Sequence, residues 1–124
     1  MKRIIIADDS TTARMFIKRC LQIIGLGDVE MIEAEHGKEA LAAAKAQEVD
    51  LLLTDLNMPV MDGETLIKWV KASPKLVDLP IIVITSAGNP AKEAQLLELG
   101  ARRVLNKPVS PPMMMDALAE FMDE

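Results

Sequence analysis

Short apolar runs alternate along the chain with longer segments in which apolar residues recur at helical spacing. The short runs are rich in β-branched and aliphatic residues, and they predict five strands: 3–7, 29–34, 51–54, 81–85 and 103–106. The longer segments predict five helices: 10–24, 37–47, 63–72, 90–99 and 110–123. Strands that alternate with helices indicate a doubly wound α/β fold, in which helices cover both faces of a parallel sheet.

The first predicted helix and the second predicted strand have the most detailed patterns. The apolar stripe of the helix is predicted to face the core and consists of Ala13, Phe16, Ile17, Cys20, Leu21 and Ile24. Arg14, Lys18 and Arg19 are predicted to lie outside that stripe, and Gly25 and Gly27 are predicted to close the helix. The second strand alternates apolar residues with two glutamates, which predicts an edge of the sheet.

The composition narrows the classes of function. A chain of 124 residues is the size of one domain, so we expect a single domain over residues 1–124 and no output domain. The net charge of −5 argues against a nucleic-acid partner, because such binding relies on clustered Lys and Arg. The apolar run near the N-terminus breaks at Asp8 and is too short for a signal peptide or a membrane span. We expect a cytoplasmic monomer with protein or small-ion partners and no membrane partner.

Polar side chains follow four of the five predicted strands. They are Asp8 and Asp9 after the first strand, Asp55 after the third, Thr85 and Ser86 at the end of the fourth, and Lys107 after the fifth. One polar strand end is ordinary, but four at the same edge of a sheet indicate a site. In the strand order 2-1-3-4-5 of the smaller doubly wound folds, the first and third strands are neighbours. This order predicts that Asp8, Asp9 and Asp55 share one cleft.

Three neighbouring carboxylates predict a cation. Like charges repel, so the acids can stay ionised together only when a cation joins them or one of them is protonated. Oxygen ligands without a nearby His or Cys favour Mg²⁺ over zinc. Lys107 adds a positive charge and Thr85 adds a hydroxyl, and this combination suits phosphoryl transfer to an aspartate. Asp55 is the predicted nucleophile because it lies between the acid pair and the strands that carry Thr85 and Lys107.

These motifs resemble the receiver domain of bacterial response regulators over essentially the whole chain. The resemblance is carried by DD at 8 and 9, DLNMPVMDG from 55 to 63, TS at 85 and 86, and KP at 107 and 108. The layout is most similar to the single-domain, CheY-like subgroup, which implies a flavodoxin/CheY-like sheet of order 2-1-3-4-5 with five helices. It also implies a stand-alone phosphoacceptor of two-component signalling, which is not an enzyme in the usual sense but catalyses its own phosphorylation and dephosphorylation.

The resemblance implies how the acids act. Asp55 would accept a phosphoryl group from a phosphohistidine on a sensor histidine kinase. Asp9 and Asp55 would bind Mg²⁺ directly, Asp8 would bind it through water, and the backbone carbonyl of Asn57 would complete the protein ligands. The expected cofactor is therefore Mg²⁺.

The resemblance also implies how the signal leaves the site. Thr85 would hydrogen-bond the phosphoryl group as a switch hydroxyl, and Lys107, joined to Pro108 by a cis peptide bond, would contact it. The last two helices and the fifth strand would then bind a target protein, and chemotaxis-type signalling is expected. Val104 departs from the pattern, because receivers usually have a Tyr or Phe there. Ala87 is small, which favours access of water and a short-lived phosphoaspartate.

Other functions remain open from the sequence. A receiver can also serve as a phosphorelay intermediate or a phosphate sink, or as a pseudo-receiver that only binds partners, although a pseudo-receiver would lose the acids. A phosphatase of the haloacid dehalogenase type would need an acid where this chain has Asn57. A flavodoxin-like electron carrier would need a phosphate-binding loop after the first strand, which the chain lacks.

Two further residues are assigned structural roles. His36 immediately precedes a predicted helix and is expected to lie at the surface or to cap that helix. Trp69 lies at the edge of the apolar face of the third helix and is expected to be partly buried.

Overall fold

The computed structural model describes residues 1–122 and contains a sheet of five parallel strands. The strands are β1 (Arg3–Ala7), β2 (Glu30–Ala34), β3 (Leu51–Thr54), β4 (Ile81–Thr85) and β5 (Arg103–Asn106). The helices are α1 (Thr11–Leu21), α2 (Gly37–Ala46), α3 (Gly63–Ala72), α4 (Pro90–Leu99) and α5 (Pro111–Met122). The strand order β2-β1-β3-β4-β5 confirms the predicted doubly wound fold, with β2 at an edge. The last residue of the fifth predicted helix, Asp123, lies outside the described residues.

The two faces of the sheet bury separate apolar cores, because side chains alternate along each strand. Ile4 and Ile6 of β1 face α1 and α5, whereas Ile5 and Ala7 face α2, α3 and α4. Every residue of β3 and β4 is buried, and β1 is buried after Arg3. A strand buried on both faces consists of a continuous apolar run, and this is why the sequence predicted β1, β3 and β4 at the observed residues. The residue after each central strand therefore arrives at one common edge.

Each of the five helices begins at a side chain that caps its backbone N–H groups, and for α5 this is Ser110, whose Oγ accepts from the N–H of Met113 at 3.3 Å. Ser10, Asp62 and Asn89 accept hydrogen bonds from the backbone N–H three residues later, at 3.1, 2.8 and 2.9 Å. His36 does the same for α2 through Nδ1 at 3.2 Å, which confirms its predicted capping role. α4 is followed by Gly100, whose φ of 122° suits glycine. These caps lie close to the strand ends, so the loops at the carboxyl edge are well anchored.

The first helix departs from its predicted pattern. Arg14 was predicted to lie outside the apolar stripe but is only 7% exposed, and Phe16, predicted inside it, is 48% exposed. Arg14 precedes Ile17 by three residues and lies on the same side of the helix. Its guanidinium donates hydrogen bonds to the carbonyl of Asp8, just after β1, and to Glu33 on β2. The end of the helix agrees with the prediction, because the chain continues beyond Leu21 through a wider π-helical turn and leaves helical geometry at Gly25, whose φ is 100°.

Smaller differences have local causes. β2 begins one residue later than predicted, because the N–H of Val29 donates to the carbonyl of Leu26 in a turn, at 3.2 Å. Trp69 is 55% exposed, so it lies on the solvent side of α3 and the predicted partial burial was wrong. Cys20 is buried, as predicted. Within residues 1–122, no helix combines the length and the apolar character needed to cross a bilayer.

Candidate functional site

Pairing of β1 with β3 brings the two acidic segments of the chain together. Ala7 is in register with Thr54, and the backbone N–H of Asp55 donates to the carbonyl of Ala7 at 2.9 Å. Asp8 is held from the other side, because its N–H donates to the carbonyl of Ala34 at the end of β2, at 3.0 Å. Hydrogen bonding between the strands thus continues one residue beyond them, and both aspartates lie at the carboxyl edge of the sheet.

Asp8, Asp9 and Asp55 form one cluster of carboxylates. Each offers an oxygen, and these oxygens all lie within 4.8 Å of one another. Asp8 and Asp55 are buried, whereas Asp9 is exposed. One oxygen of each buried acid accepts a backbone hydrogen bond, from Ser10 to Asp8 at 2.9 Å and from Leu56 to Asp55 at 2.6 Å. The other oxygen of each buried acid binds Lys107.

Lys107 lies between the two buried acids. Its Nζ is 2.7 Å from Oδ2 of Asp8 and 2.9 Å from Oδ2 of Asp55. The N–H of Lys107 donates to the carbonyl of Thr85 at 3.0 Å, and the peptide bond to Pro108 is cis, as the resemblance implied. Burial by itself would lower the pKa of Lys107, but hydrogen bonds to Asp8 and Asp55 outweigh burial and raise that pKa. The ammonium therefore stays charged at neutral pH.

Thr85 and Asn57 lie at the same edge of the sheet as the acids. Thr85 is fully buried, and its Oγ1 accepts a hydrogen bond from the N–H of Ala87 at 3.1 Å. Asn57 is exposed in the loop after β3, where it lines a small cleft together with Ala87 and Lys92. No backbone N–H within residues 1–122 donates to the carbonyl of Asn57. The structure therefore places Lys107 beside the acids, whereas the hydroxyl of Thr85 forms a local hydrogen bond with Ala87.

The loop after β3 approaches its own backbone closely. A side chain at Gly63 would collide with the carbonyl oxygen of Asp55, so only glycine fits there. The N–H of Gly63 donates to the carbonyl of Leu56 at 2.8 Å and pins the start of α3 against the site. Val60, at the exposed tip of the loop, has a φ of 67°, a strained conformation for a β-branched residue. The base of the loop thus holds Asp55, and its tip carries the strain.

One residue beside this site was missed in the sequence. Arg14 donates through Nη1 to the backbone carbonyl of Asp8, and its Nε lies 2.8 Å from Oε1 of Glu33. The available signal was spacing, because Arg14, Ile17 and Leu21 recur at intervals of three and four, as buried positions of a helix do. A cation at such a position indicates a buried ion pair.

The cluster of carboxylates fits a hard divalent cation. Carboxylate and carbonyl oxygens are the ligands that Mg²⁺ prefers, and the group formed by Asp8, Asp9 and Asp55 contains no nitrogen or sulfur ligand. Lys107 contributes one positive charge against three acidic side chains, so a cation would further reduce their repulsion. The exposure of Asp9 leaves space for the water ligands that Mg²⁺ usually keeps.

Comparisons with known proteins agree with this geometry. The family model described as response regulator receiver domain matches residues 4–119. The chemotaxis protein CheY homolog of Campylobacter jejuni is 38% identical over 121 residues, which cover 97% of this chain and 92% of the relative.

Solved structures show the same similarity. A structure of the chemotaxis protein CheY4 of Vibrio cholerae has a TM-score of 0.84 and 32% sequence identity, and the match covers 97% of this chain and 98% of that chain. A structure of the Mn²⁺-bound form of response regulator Rcp1 has a TM-score of 0.81 and 25% identity, and the match covers 98% of this chain and 94% of that chain.

Proposed function

The chain belongs to the response regulator receiver domain family, and from that premise we propose that it is a chemotaxis-type response regulator phosphorylated on Asp55. Phosphotransfer in a two-component system is the general mechanism of this family. The observation that carries the assignment of Asp55 is its position, because it ends β3 beside two other acids with the ammonium of Lys107 at 2.9 Å. The similarity to chemotaxis proteins over nearly the whole chain supports the chemotaxis role.

The proposed chemistry is transfer from a phosphohistidine of a sensor histidine kinase. A carboxylate oxygen of Asp55 forms a bond to phosphorus, the phosphorus–nitrogen bond breaks, and the imidazole nitrogen leaves with the electron pair. Lys107 then shifts from the carboxylate to the phosphoryl oxygens, where its charge stabilises the new group. The raised pKa of Lys107 supports this role, because the ammonium keeps its proton at neutral pH.

We propose Mg²⁺ as the cofactor. Asp9 and Asp55 bind it directly, Asp8 binds it through water, and the backbone carbonyl of Asn57 completes the protein ligands. When bound, Mg²⁺ neutralises the oxygens of the phosphoryl group during transfer. The Mn²⁺ in the Rcp1 structure supports a divalent cation in a protein of this fold. Asp8 also orients Lys107, to which it is hydrogen-bonded at 2.7 Å.

The proposed switch begins at Thr85. Its hydroxyl leaves the N–H of Ala87 and binds the phosphoryl group, so the loop between β4 and α4 follows it. The surface formed by α4, β5 and α5 then changes and binds a target protein. Val104 is only partly buried on this surface and has no aromatic ring to reorient, which leaves the β4–α4 loop as the route of the signal. The exposure of Ala87 supports access of water and self-catalysed dephosphorylation.

The partners and the location follow from this role. The phosphodonor is a sensor histidine kinase, and the target is a protein recognised in the phosphorylated state. The protein acts in the cytoplasm as a monomer. The absence of a bilayer-spanning helix within residues 1–122 is consistent with this location.

The test is phosphorylation in vitro. The protein is incubated with Mg²⁺ and acetyl phosphate, and intact mass is measured before and after treatment with base, which cleaves an acyl phosphate. We expect one base-labile phosphoryl group on the parent, none without Mg²⁺, and none on Asp55→Asn.

A matched control lies at the other end of the same strand. Asp50 precedes β3 at the opposite edge of the sheet, where its carboxylate accepts hydrogen bonds from the N–H groups of Lys2 and Arg3 at 2.6 and 2.9 Å. Asp50→Asn should therefore keep full labelling, although it removes the same charge. Labelling that persists in Asp55→Asn, or a parent that takes up no phosphate, would falsify the assignment.

A further inference from the structure

Arg14 is a charged side chain that is almost completely buried beside the carboxylate cluster. Its guanidinium donates to three acceptors: the carbonyl of Asp8, Oε1 of Glu33 at 2.8 Å and Oγ1 of Thr11 at 3.2 Å. Burying a charge is costly unless the charge is paired and hydrogen-bonded, and each of the three guanidinium nitrogens has a partner. The guanidinium is therefore fixed in position and orientation.

The hydrogen bond to the carbonyl of Asp8 is the one that reaches the acids. This carbonyl belongs to the peptide unit between Asp8 and Asp9, and a peptide unit is planar. When Arg14 holds this oxygen, the plane of the peptide unit that leads into Asp9 is fixed as well. The N–H of Asp8 is held as well, by the carbonyl of Ala34 at 3.0 Å. Asp9 is exposed, and the peptide plane sets the position of the Cα from which its carboxylate extends.

Glu33 anchors Arg14 to the edge strand β2. Lys18, one turn further along α1, binds the second carboxylate oxygen of Glu33 at 3.1 Å. Arg14 and Lys18 together lower the pKa of Glu33, so this carboxylate is ionised at neutral pH. A single polar network thus joins α1, β2 and the end of β1, and it ends on the backbone of the acid pair.

From these contacts we propose that Arg14 is a positioning residue, which presets the peptide between Asp8 and Asp9 and thereby sets the affinity of the site for its divalent cation. The inference rests on the proposed function, because it takes the three carboxylates as the cation site. Mg²⁺ demands near-octahedral geometry, so its affinity is sensitive to the direction of its ligands. Removal of a residue that orients a metal ligand typically lowers the metal affinity by about 10- to 100-fold.

The chain contains a matched control for Arg14. Arg3 forms an ion pair of the same kind with the same edge strand, because its Nε lies 2.9 Å from Oε1 of Glu30. Arg3 and Glu30 are in register at the beginning of β1 and β2, at the edge of the sheet opposite the acids. Arg3 joins β1 to β2, and Arg14 joins α1 to β2, so removing either arginine loosens an attachment of β2. Only the removal of Arg14 also frees the carbonyl of Asp8.

The experiment measures Mg²⁺ binding to the full chain by isothermal titration calorimetry. Parent, Arg14→Gln, Arg14→Lys and Arg3→Gln are compared, and urea unfolding without Mg²⁺ reports the stability of each. We expect about tenfold weaker binding for Arg14→Gln, unchanged binding for Arg3→Gln, and partial recovery for Arg14→Lys, which keeps the charge but cannot reach all three acceptors. With acetyl phosphate, Arg14→Gln should need more Mg²⁺ for half-maximal labelling and keep its maximal rate.

Two results would overturn the proposal. One is an Mg²⁺ affinity of Arg14→Gln equal to that of the parent, and the other is equal weakening by Arg3→Gln, which would indicate a general loosening of β2. If Arg14→Gln does not fold, Glu33→Gln replaces it, since that variant leaves the guanidinium but removes its charged partner. Weaker Mg²⁺ binding by Glu33→Gln would support the proposal, and unchanged binding would overturn it. Failure of the proposed function would be visible in the parent alone, as an absence of Mg²⁺ binding or of phosphate uptake from acetyl phosphate.

Discussion

The carboxyl edge of the sheet has two halves that are held very differently. The acid half comprises the ends of β1 and β3 with α3, and the switch half comprises the ends of β4 and β5 with α4. In the acid half, α3 buries Gly63, Leu66, Ile67 and Val70. In the switch half, α4 buries only Leu96, and no residue of β5 is fully buried. The acid half is therefore packed more densely, through α3, than the switch half is through α4 and β5.

The polar contacts repeat this contrast. Asp8 and Asp55 are held by backbone N–H groups and share the ammonium of Lys107. Among residues 1–122, the hydroxyl of Thr85 is hydrogen-bonded only to the N–H of Ala87, two residues away. Metal ligands need a fixed geometry, and elements that move are drawn from the least stable parts of a fold. Coupling between two sites typically amounts to about 1–3 kcal/mol. A coupling free energy of this size favours movement of a loosely packed helix such as α4 over movement of one such as α3.

The largest expected effect comes from truncating one buried leucine in each half. Leu66 and Leu96 are both fully buried, so Leu66→Ala and Leu96→Ala remove the same atoms. Leu66→Ala should cost about 2–5 kcal/mol in the free energy of unfolding. Leu96→Ala should cost less, because α4 loses its single buried anchor and undocks locally while the rest of the fold stays intact.

Urea unfolding and amide hydrogen exchange check this prediction. The amides of α4 should lose protection in Leu96→Ala well before global unfolding, whereas those of α3 in Leu66→Ala should exchange with the whole molecule. Equal losses of stability, together with unchanged protection of α4, would show that the two halves are equally rigid.

A smaller effect is expected from the two buried threonines at the strand ends. Thr54 donates through Oγ1 to the carbonyl of Asp55 at 2.9 Å, while Thr85 accepts from Ala87. Each Thr→Val change keeps the shape and removes a hydrogen bond worth about 1 kcal/mol. Thr54→Val should weaken Mg²⁺ binding and leave the response of α4 intact. Thr85→Val should keep Mg²⁺ binding and abolish the change in hydrogen exchange of α4 on phosphorylation.

The paired variants are compared by calorimetry and by hydrogen exchange with and without acetyl phosphate. A Thr85→Val protein whose α4 still responds to phosphorylation would mean that the signal does not pass through this hydroxyl.

The contrast between the halves also explains what the sequence could predict. β1, β3 and β4 lie at the predicted residues, because they are buried and a buried strand is visible in the sequence as a local apolar run. β5 also lies at its predicted residues, although none of them is fully buried. The meeting of Asp8 and Asp55 followed from the strand order, which few connections allow. These features depend on local pattern and on topology, and both can be seen in one sequence.

The remaining features depend on partners that are distant along the chain. Arg14 is buried because Glu33, nineteen residues away on β2, offers it a carboxylate, and no helical pattern contains that information. Trp69 is exposed because no neighbouring element covers that side of α3 within the described residues. The ligand-binding roles of all the predicted site residues stay predictions, since they concern contacts with a cation and a phosphoryl group; these residues are Asp8, Asp9, Asp55, Asn57, Thr85 and Lys107.

The smallest expected effect concerns an ion pair that joins the two halves. Lys92 in the first turn of α4 lies 2.8 Å from Oε1 of Glu64 in the first turn of α3. The hydrogen bond from Lys92 lowers the pKa of Glu64 below its ordinary value of 4.5. Because the folded pKa is depressed, the pair stabilises the fold above pH 4.5, and this contribution is lost as the pH falls through the lowered pKa.

Glu64→Gln should therefore reduce the free energy of unfolding by less than about 1 kcal/mol near neutral pH, as expected for an ion pair at a surface. The difference from the parent should vanish at a pH low enough to protonate Glu64. Lys92→Gln should have the same effect and should also speed hydrogen exchange in α4. Lys68→Gln is the control, because Lys68 lies 3.6 Å from Glu64 but on the same helix, so it cannot tie the halves together. If Lys68→Gln speeds exchange in α4 as much as Lys92→Gln does, the ion pair is not what couples α4 to the acid half.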